Sequence, residues 1–271
     1  HSHLYRSDSD MTTTATRLWG LDSPRMTIDA QHLVIGAQGS VDIPLPSFLI
    51  EHDRGLVLFD TGMNPVVCDD PRLLFGDRPE SDWITAAPEQ RIDRQIEKLG
   101  FSVGDVTHVI LSHTHSDHSG GLYLFPHARF FAGPGEFQWA ANPSPASAHL
   151  FMPDDFATPT VKAFDWSTVT TPTHDLFGDD SIVIHHTPGH TPGELSALVR
   201  LPSQNIVLSG DAAHLRESLE WKAPDPSDWD IDQARHSLVS LEQLAKREEA
   251  RIWVGHDERD WVDFGAGAAL S

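Results

Sequence analysis

Four potential metal ligands fall within six residues, His113-Thr114-His115-Ser116-Asp117-His118. The stretch 106–111 just before them, Val-Thr-His-Val-Ile-Leu, reads as a buried strand. Where the backbone leaves that strand, His113 and His115 can project to one side. Asp117 and His118, on the turn into the next segment, can project to another. Two ligand groups a few ångströms apart suit two cations better than one. Imidazole and carboxylate without thiolate favour zinc, manganese, iron or cobalt over a structural cysteine site. Cys68 is the only cysteine, which excludes both a Cys-rich zinc ribbon and an intrachain disulfide. The bland alternative in a chain with 17 histidines is a loop of surface imidazoles, but the spacing is too tight for scatter.

Three later residues share one placement, immediately beyond a strand. His190 ends Thr187-Pro188-Gly189-His190 after strand 181–185, with His185 and His186 as rival ligands. Asp211 ends Ser209-Gly210-Asp211 after strand 205–209, at a sheet edge where a carboxylate can bridge two metals. His256 follows Gly255 after strand 251–254. Taken singly, each is more readily structural than ligating; combined with the six-residue motif, the weight shifts to ligation.

The elements that must carry these residues are short. Apolar or alternating runs predict strands at 27–35, 47–51, 56–60, 106–111, 129–132, 181–185, 195–201, 205–209 and 251–254. Helices are expected at 89–99, 134–141 and 231–250. In the first, Ile92, Ile96 and Leu99 share a face and Gly100 ends it. The last carries the stripe Ile231, Ala234, Leu238, Leu241 and Ala245, with Asp228 or Asp230 near its start. Residues 69–88 read as a long, partly ordered loop suited to a substrate wall, and 142–180 as irregular connection. Strands alternating with a few helices predict an α/β layered single domain over 11–271. Residues 1–10, with His1-Ser2-His3 ahead of Met11, read as an expression-tag remnant.

Composition narrows the partners. With 40 acidic and 19 basic residues among 271, the net charge of −21 repels phosphate backbones and anionic membranes. The expected partner is a small neutral hydrophobic molecule, with no nucleic acid and no membrane, and a homodimer is the assembly to test. No run approaches the ~18 apolar residues of a membrane span, and no basic-then-apolar leader is seen, so the cytoplasm is the expected compartment.

The order HxHxDH, then His, then Asp, then His resembles the dinuclear hydrolases of the metallo-β-lactamase superfamily. The likeness spans Asp60-Thr61-Gly62 to His256. It implies an αβ/βα four-layer sandwich with metals at one edge of the two sheets. By carry-over, His113, His115 and His190 would hold the first metal, Asp117, His118 and His256 the second, and Asp211 would bridge them. Asp60 matches the position beside the site, outside the ligands. An aspartic protease, the rival reading of Asp-Thr-Gly, needs two carboxylates, and only one copy exists. Two divalent ions, zinc first, would ionise a water held between them, polarise a carbonyl and stabilise the leaving oxygen. Asp211 would orient that hydroxide and carry its proton to the leaving group. Aspartate rather than glutamate at Asp117 argues for hydrolysis over diiron redox chemistry. His118 and a bridging Asp211 argue against the antibiotic-hydrolysing branches.

Within the superfamily the chain is most similar to the N-acyl-homoserine lactone lactonases, which are quorum-quenching enzymes. The strings are Phe48-Leu49-Ile50-Glu51-His52, Leu58-Phe59-Asp60-Thr61-Gly62, His118-Ser119-Gly120-Gly121 and Thr187-Pro188-Gly189-His190-Thr191-Pro192-Gly193. The lactonases place a tyrosine three residues after the bridging aspartate; here that position is His214. An imidazole can donate a similar hydrogen bond or act as acid to the leaving alkoxide. Asp117, Asp211 and His214 are therefore the expected catalytic residues. Trp19, Met26, Met63, Leu74, Phe75, Phe137, Trp139 and Trp221 are candidates for the pocket, with Met63, Phe75 and Trp221 preferred beside His214. The alternatives are a glyoxalase II-like thioesterase or an arylesterase. A phosphodiesterase is disfavoured by charge, and an iron oxygenase by retention of both metal half-sites. A non-catalytic metal-binding protein is opposed by His118, Asp211 and His256.

Overall fold

Strands whose side chains are nearly all apolar need cover on both faces. The computed structural model, which describes residues 13–271, supplies that cover with two stacked sheets and outer helices. The expected tag remnant at 1–10 lies outside the described residues.

The strands are β1 (Arg17–Leu21), β2 (Arg25–Asp29), β3 (Ser40–Pro44), β4 (Ser47–His52), β5 (Gly55–Phe59), β6 (Ile84–Thr85) and β7 (His108–Ile110). They continue with β8 (Arg129–Ala132), β9 (Asp165–Thr168), β10 (Thr173–Asp175), β11 (Ile182–His186), β12 (Leu195–Arg200), β13 (Asn205–Leu208) and β14 (Ala250–Trp253). One sheet has the order β1-β4-β5-β7-β8-β9, the second β10-β11-β12-β13-β14, and a small third β3-β2-β6. Strands β5, β7, β8 and β9 run parallel, as do β13 and β14. Their registers align Phe59 with Ile110, Ile110 with Phe131, and Leu208 with Trp253. The chain therefore leaves β5, β7 and β8 at one level of the first sheet, and β13 and β14 at one level of the second.

Alternation along each strand assigns its residues to separate cores. Phe48 and Ile50 of β4 pack between the two large sheets with Ile184, Ala197, Leu208 and Trp253, whereas Leu49 faces outward. On that outer face, Ile92 and Ile96 of the helix Ile92–Lys98 meet Leu58, Val109 and Phe130. On the opposite side, Leu238, Leu241 and Leu244 of the helix Ile231–Arg247 cover Val183, Leu198, Val207 and Ile252. The result is the αβ/βα sandwich that the sequence resemblance implies. The small sheet forms a fourth core from Ile43, Met63, Val67, Phe75, Ile84 and Leu215. Among the described residues no helix is long and apolar enough to cross a membrane.

Several boundaries differ from expectation for local reasons. The 27–35 run stops being strand at Asp29, whose carboxylate accepts the Gln31 N–H (3.0 Å) and starts the turn Ala30–His32. The 89–99 segment divides into a turn at Pro88–Gln90 and the helix proper. Asp230, not Asp228, caps the long helix through the Gln233 N–H (3.0 Å), and the helix ends at Arg247 rather than 250. Segment 69–88 contains the helical turns Arg72–Phe75 and Glu80–Trp83 as well as β6. Segment 142–180 is more ordered than irregular: Pro153 and Pro159 each open a short helix, where a missing N–H costs nothing, and β9 and β10 follow.

Candidate metal centre

Every ligand-type residue of the site lies just past the end of a strand. His113, His115, Asp117 and His118 follow β7, His190 follows β11, Asp211 follows β13 and His256 follows β14. These ends belong to both large sheets and lie on one side of the sandwich, and strand ends are where α/β sheets collect their ligands. Asp60, following β5, adopts φ 63°, a left-handed conformation uncommon for a non-glycine residue. That backbone lets both its oxygens turn inward.

Two groups of side chains converge. His113, His115, His190 and Asp211 form one, and Asp117, His118, Asp211 and His256 the other, each with its ligand atoms within 4.8 Å of one another. Asp211 is common to both. Its Oδ2 lies 3.4 Å from His113 Nε2, 3.2 Å from His118 Nε2 and 3.5 Å from His190 Nε2. Its Oδ1 lies 3.0 Å from His256 Nε2. Asp117 Oδ2 is 3.3 Å from His118 Nε2 and 3.5 Å from His256 Nε2. The rival ligands do not join: His185 and His186 stay in β11, and His186 Nε2 meets the Pro192 carbonyl at 2.9 Å.

The outward nitrogens are held by a second set of groups, which fixes ring orientation and tautomer. His118 Nδ1 donates to Asp60 Oδ2 (2.7 Å), which also accepts from Ser112 Oγ (2.7 Å), while Asp60 Oδ1 accepts the Ser112 N–H (2.7 Å). His190 Nδ1 donates to Asp228 Oδ1 (2.7 Å), and His256 Nδ1 to the Pro44 carbonyl (2.8 Å). His113 Nδ1 lies 2.9 Å from Ser112 Oγ and 3.0 Å from Glu194 Oε2, the latter not aligned for a hydrogen bond. Glu194 Oε1 accepts the Asp211 N–H (2.7 Å). Glu136, fully buried, accepts from the Thr114 N–H (2.8 Å) and hydroxyl (2.9 Å) and from the Gly193 N–H (3.0 Å), tying the histidine loop to the β11–β12 turn.

Burial and mutual repulsion push the His113 imidazole down to about 3, and burial with His214 brings His190 down to about 4. His115 is lowered too, by burial and His113. For His118, burial is outweighed by Asp117, Asp211 and Asp60, which raise it well above the ordinary imidazole value. Asp117 and Asp211 stay ionised despite burial, because His118 and His256 stand beside both. This donor set fits two cations: neutral imidazoles on one side, carboxylates shared with the other, and no thiolate. Two inward atoms, His113 Nε2 and His118 Nε2, are buried without any hydrogen-bond partner. Orphaned nitrogens of that kind are costly unless something is ligated there.

His214 joins the cluster. Buried, its Nε2 lies 3.3 Å from Asp211 Oδ2 and 3.4 Å from Asp225 Oδ2. Burial opposes its charge, but Asp211 and Asp225 raise it to about 9. A cavity of about 430 Å³ opens over the site, lined by Asp211, His214 and His256 at its base and by Met26, Ile28, Leu45, Met63, Phe75 and Trp83 on its walls. No lysine or arginine lines it. Trp221 does not belong to that wall, contrary to expectation: it ends the helix Arg216–Trp221 and is 53% exposed. A tryptophan with no apolar neighbour in sequence gave no means of telling an outer helix end from a pocket wall. Trp19, Phe137 and Trp139 pack instead against the outer core of the first sheet, and Leu74 against the small sheet.

Sequence reasoning missed Glu136, Glu194 and Asp225, and took Asp228 only as a helix cap. Asp225 and Asp228 bracket one short turn, Asp225-Pro226-Ser227-Asp228, in which Asp225 Oδ1 accepts the Ser227 N–H (2.7 Å) and Asp228 Oδ2 the Asp225 N–H (3.1 Å). Two carboxylates around a Pro-Ser turn are a local signal of that folded loop.

Comparison with known proteins follows the same line. The profile of the metallo-beta-lactamase superfamily matches residues 44–256. The N-acyl homoserine lactonase AttM of Agrobacterium fabrum is 32% identical over 255 residues, covering 93% of this chain and 97% of the relative. AiiA, an N-acyl homoserine lactonase of Bacillus thuringiensis subsp. kurstaki, is 25% identical over 223 residues, covering 80% and 82%. Among solved structures, an N-acyl homoserine lactone hydrolase with N-hexanoyl-L-homoserine at its catalytic metal centre superposes with a TM-score of 0.82. It is 22% identical, covering 95% of this chain and all (100%) of that one.

Proposed function

The chain belongs to the metallo-beta-lactamase superfamily, and we propose that it is a hydrolase that opens the ring of N-acyl-homoserine lactones or related hydrophobic lactones. The observation that carries this reading is a junction. Ligand-type side chains from four strand ends meet at the base of a cavity walled by Met26, Ile28, Leu45, Met63, Phe75 and Trp83, with Glu80, His32 and His149 among the polar lining and no lysine or arginine. Such a chamber suits an uncharged acyl group, and its walls offer a polyanion no lysine or arginine. The 32% identity with AttM across 93% of this chain supports the lactone as substrate.

In this reading His113, His115 and His190 would hold one divalent ion, Asp117, His118 and His256 the other, with Asp211 shared. Bound there, the ions supply Lewis acidity and lower the pKa of water. Zinc is the ion we put first among zinc, manganese, iron and cobalt, all of which imidazole and carboxylate donors suit. The cytoplasm is the proposed compartment, with which a chain that has one cysteine and therefore no intrachain disulfide is compatible. Asp211 would orient the attacking hydroxide and carry its proton to the departing ring oxygen. His214, at the cavity base with its Nε2 between Asp211 Oδ2 and Asp225 Oδ2, would donate to the substrate carbonyl or the leaving oxygen by turning its one Nε2 N–H away from those carboxylates. Met63 and Phe75 hold the acyl arm and exclude water from the reacting end.

The test is a pH-stat panel of lactones, thioesters, aryl esters and phosphodiesters with metal-reconstituted protein. Proton release from lactones foremost is expected; turnover of thioesters or phosphodiesters with inert lactones would overturn the assignment. Asp211→Asn should lower turnover about a hundredfold or more with the fold retained. His214→Ala should lower turnover while leaving metal content near that of the parent.

A further inference from the structure

The turn carrying His256 is gripped from outside the site by Arg216, while Arg259 holds that turn only through Asp257. Arg216 lies two residues beyond His214 and begins the helix Arg216–Trp221. Its guanidinium meets Asp260 with both forks, Nε to Oδ1 at 2.7 Å and Nη2 to Oδ2 at 2.6 Å. Nη2 also donates to the Ile252 carbonyl. Asp260 Oδ2 in turn accepts the Val254 N–H (2.7 Å), and Asp257 Oδ2 accepts the Arg216 backbone N–H (2.8 Å). Ile252, Val254 and Asp257 bracket Gly255-His256, so the turn is held on both sides of its ligand. The Asp260 side chain is only 3% exposed, and a bidentate, charge-assisted pair in that setting is geometrically demanding.

We propose that Arg216 and Asp260 are positioning residues for the half-site of Asp117, His118 and His256, and set its metal affinity separately from the other half. The asymmetry is structural. His113 and His190 are oriented by Ser112 and Asp228, and neither Arg216 nor Asp260 hydrogen-bonds to those groups. The clamp thus joins the segment after Asp211 and His214 to the segment before and after His256. This inference rests on the ligand assignment of the preceding section and adds a group that touches no metal and no substrate.

Outer groups that orient ligands typically govern metal affinity by about 10- to 100-fold. The experiment loads parent, Arg216→Gln and Arg216→Lys with cobalt(II) and dialyses each against graded nitrilotriacetate. Cobalt per chain and the visible spectrum are read at each step, and far-UV circular dichroism checks the fold. Arg216→Gln should release one equivalent at a chelator concentration at least tenfold below the parent's, with the other equivalent leaving at the parent's midpoint. Arg216→Lys, which keeps the charge and loses the fork, should fall between. At one equivalent the Arg216→Gln spectrum should match that of His118→Ala, which lacks the same half-site. If Arg216→Gln fails to fold, Asp260→Asn, which retains an acceptor for the Val254 N–H, replaces it. Parent-like midpoints, or an equal shift of both equivalents, would overturn the clamp while leaving the ligand assignment intact. A parent chain holding fewer than two equivalents would overturn both.

Discussion

Replacing Asp60 by asparagine changes one atom and should dismantle half of the metal centre through a proton. As a carboxylate Asp60 only accepts, and it accepts three times: from the Ser112 N–H, the Ser112 hydroxyl and His118 Nδ1, each at 2.7 Å. With a metal bound, the last bond would keep the one His118 proton on Nδ1 and leave Nε2, which faces Asp117 and Asp211, free to ligate. Asparagine tolerates the left-handed backbone at φ 63°, so the substitution adds little strain. Its amide must nonetheless point one way. With NH2 toward His118, the imidazole proton has to move to Nε2, the ligating atom. With NH2 toward Ser112, two fixed N–H groups oppose each other, at about 1–3 kcal/mol. Either cost converts to a loss of about 10- to 100-fold in affinity for one metal equivalent, while the metal-free fold loses no more than about 3 kcal/mol. Competition with a chelator gives the first quantity and urea unfolding of metal-free protein the second. Parent-like affinity for both equivalents would refute the tautomer argument, whatever the stability.

Gly120→Ala should destabilise by about 3 kcal/mol in urea unfolding, because a Cβ there would lie 1.9 Å from the Asn64 nitrogen and 2.3 Å from the Met63 carbonyl carbon; a loss under about 1 kcal/mol would contradict the packing. Burial raises the Asp155 carboxyl from 3.8 to about 7, so the stability tied to its neutral form is complete below about pH 4 and is lost as pH rises through 7. Asp155→Asn should therefore gain melting temperature over the parent by about 2 °C or more between pH 5 and pH 8, and a pH-independent difference would count against it. Phe75→Ala should raise KM for long-acyl lactones several-fold, whereas Trp221→Ala should leave both kinetic constants within about twofold. A larger effect at Trp221 would return that residue to the substrate wall.

The two-sheet frame was legible because its strands carry their own signature. Strands such as β4, β11 and β13 are apolar on both faces, and only a sandwiched sheet can use them. Elements whose state depends on a neighbour were not legible. The strand β1 reads Arg-Leu-Trp-Gly-Leu and becomes a strand by pairing with β4, Leu18 opposite Ile50 and Trp19 opposite Leu49. Strand β9, in a proline-rich stretch, is fixed by the register Phe130–Trp166 against β8. The helix Glu258–Asp263 has almost no apolar face and owes its start to the Asp257 cap on the Arg259 N–H at 2.8 Å.

The site divides along a similar line, and the division bears on charge. Ligating histidines announce themselves by clustering and by their place at strand ends, but a lone carboxylate reads as solvated until its burial is known. Asp60, Glu136, Glu194, Asp211 and Asp225 are all buried, and the Asp228 side chain is 4% exposed. Burial raises Glu136, Glu194 and Asp225, the second further through Asp211, and takes Asp228 up to about 7. Part of the formal −21 therefore never reaches the surface: some of these groups are held toward neutrality, and Asp60 and Asp211 face imidazoles. Net charge overstates the field that repels polyanions. What argues against an anionic substrate is instead local: largely apolar walls with no lysine or arginine, above a floor where Asp117, Asp211 and Asp225 stand among the imidazoles. Placing a single arginine on that wall, as Met26→Arg, tests the distinction. It barely alters net charge, yet should weaken binding of a neutral acyl lactone and favour one with a carboxylate at the acyl terminus, read as opposite changes in KM. If both substrates weakened equally, the wall would be selecting by shape rather than by charge.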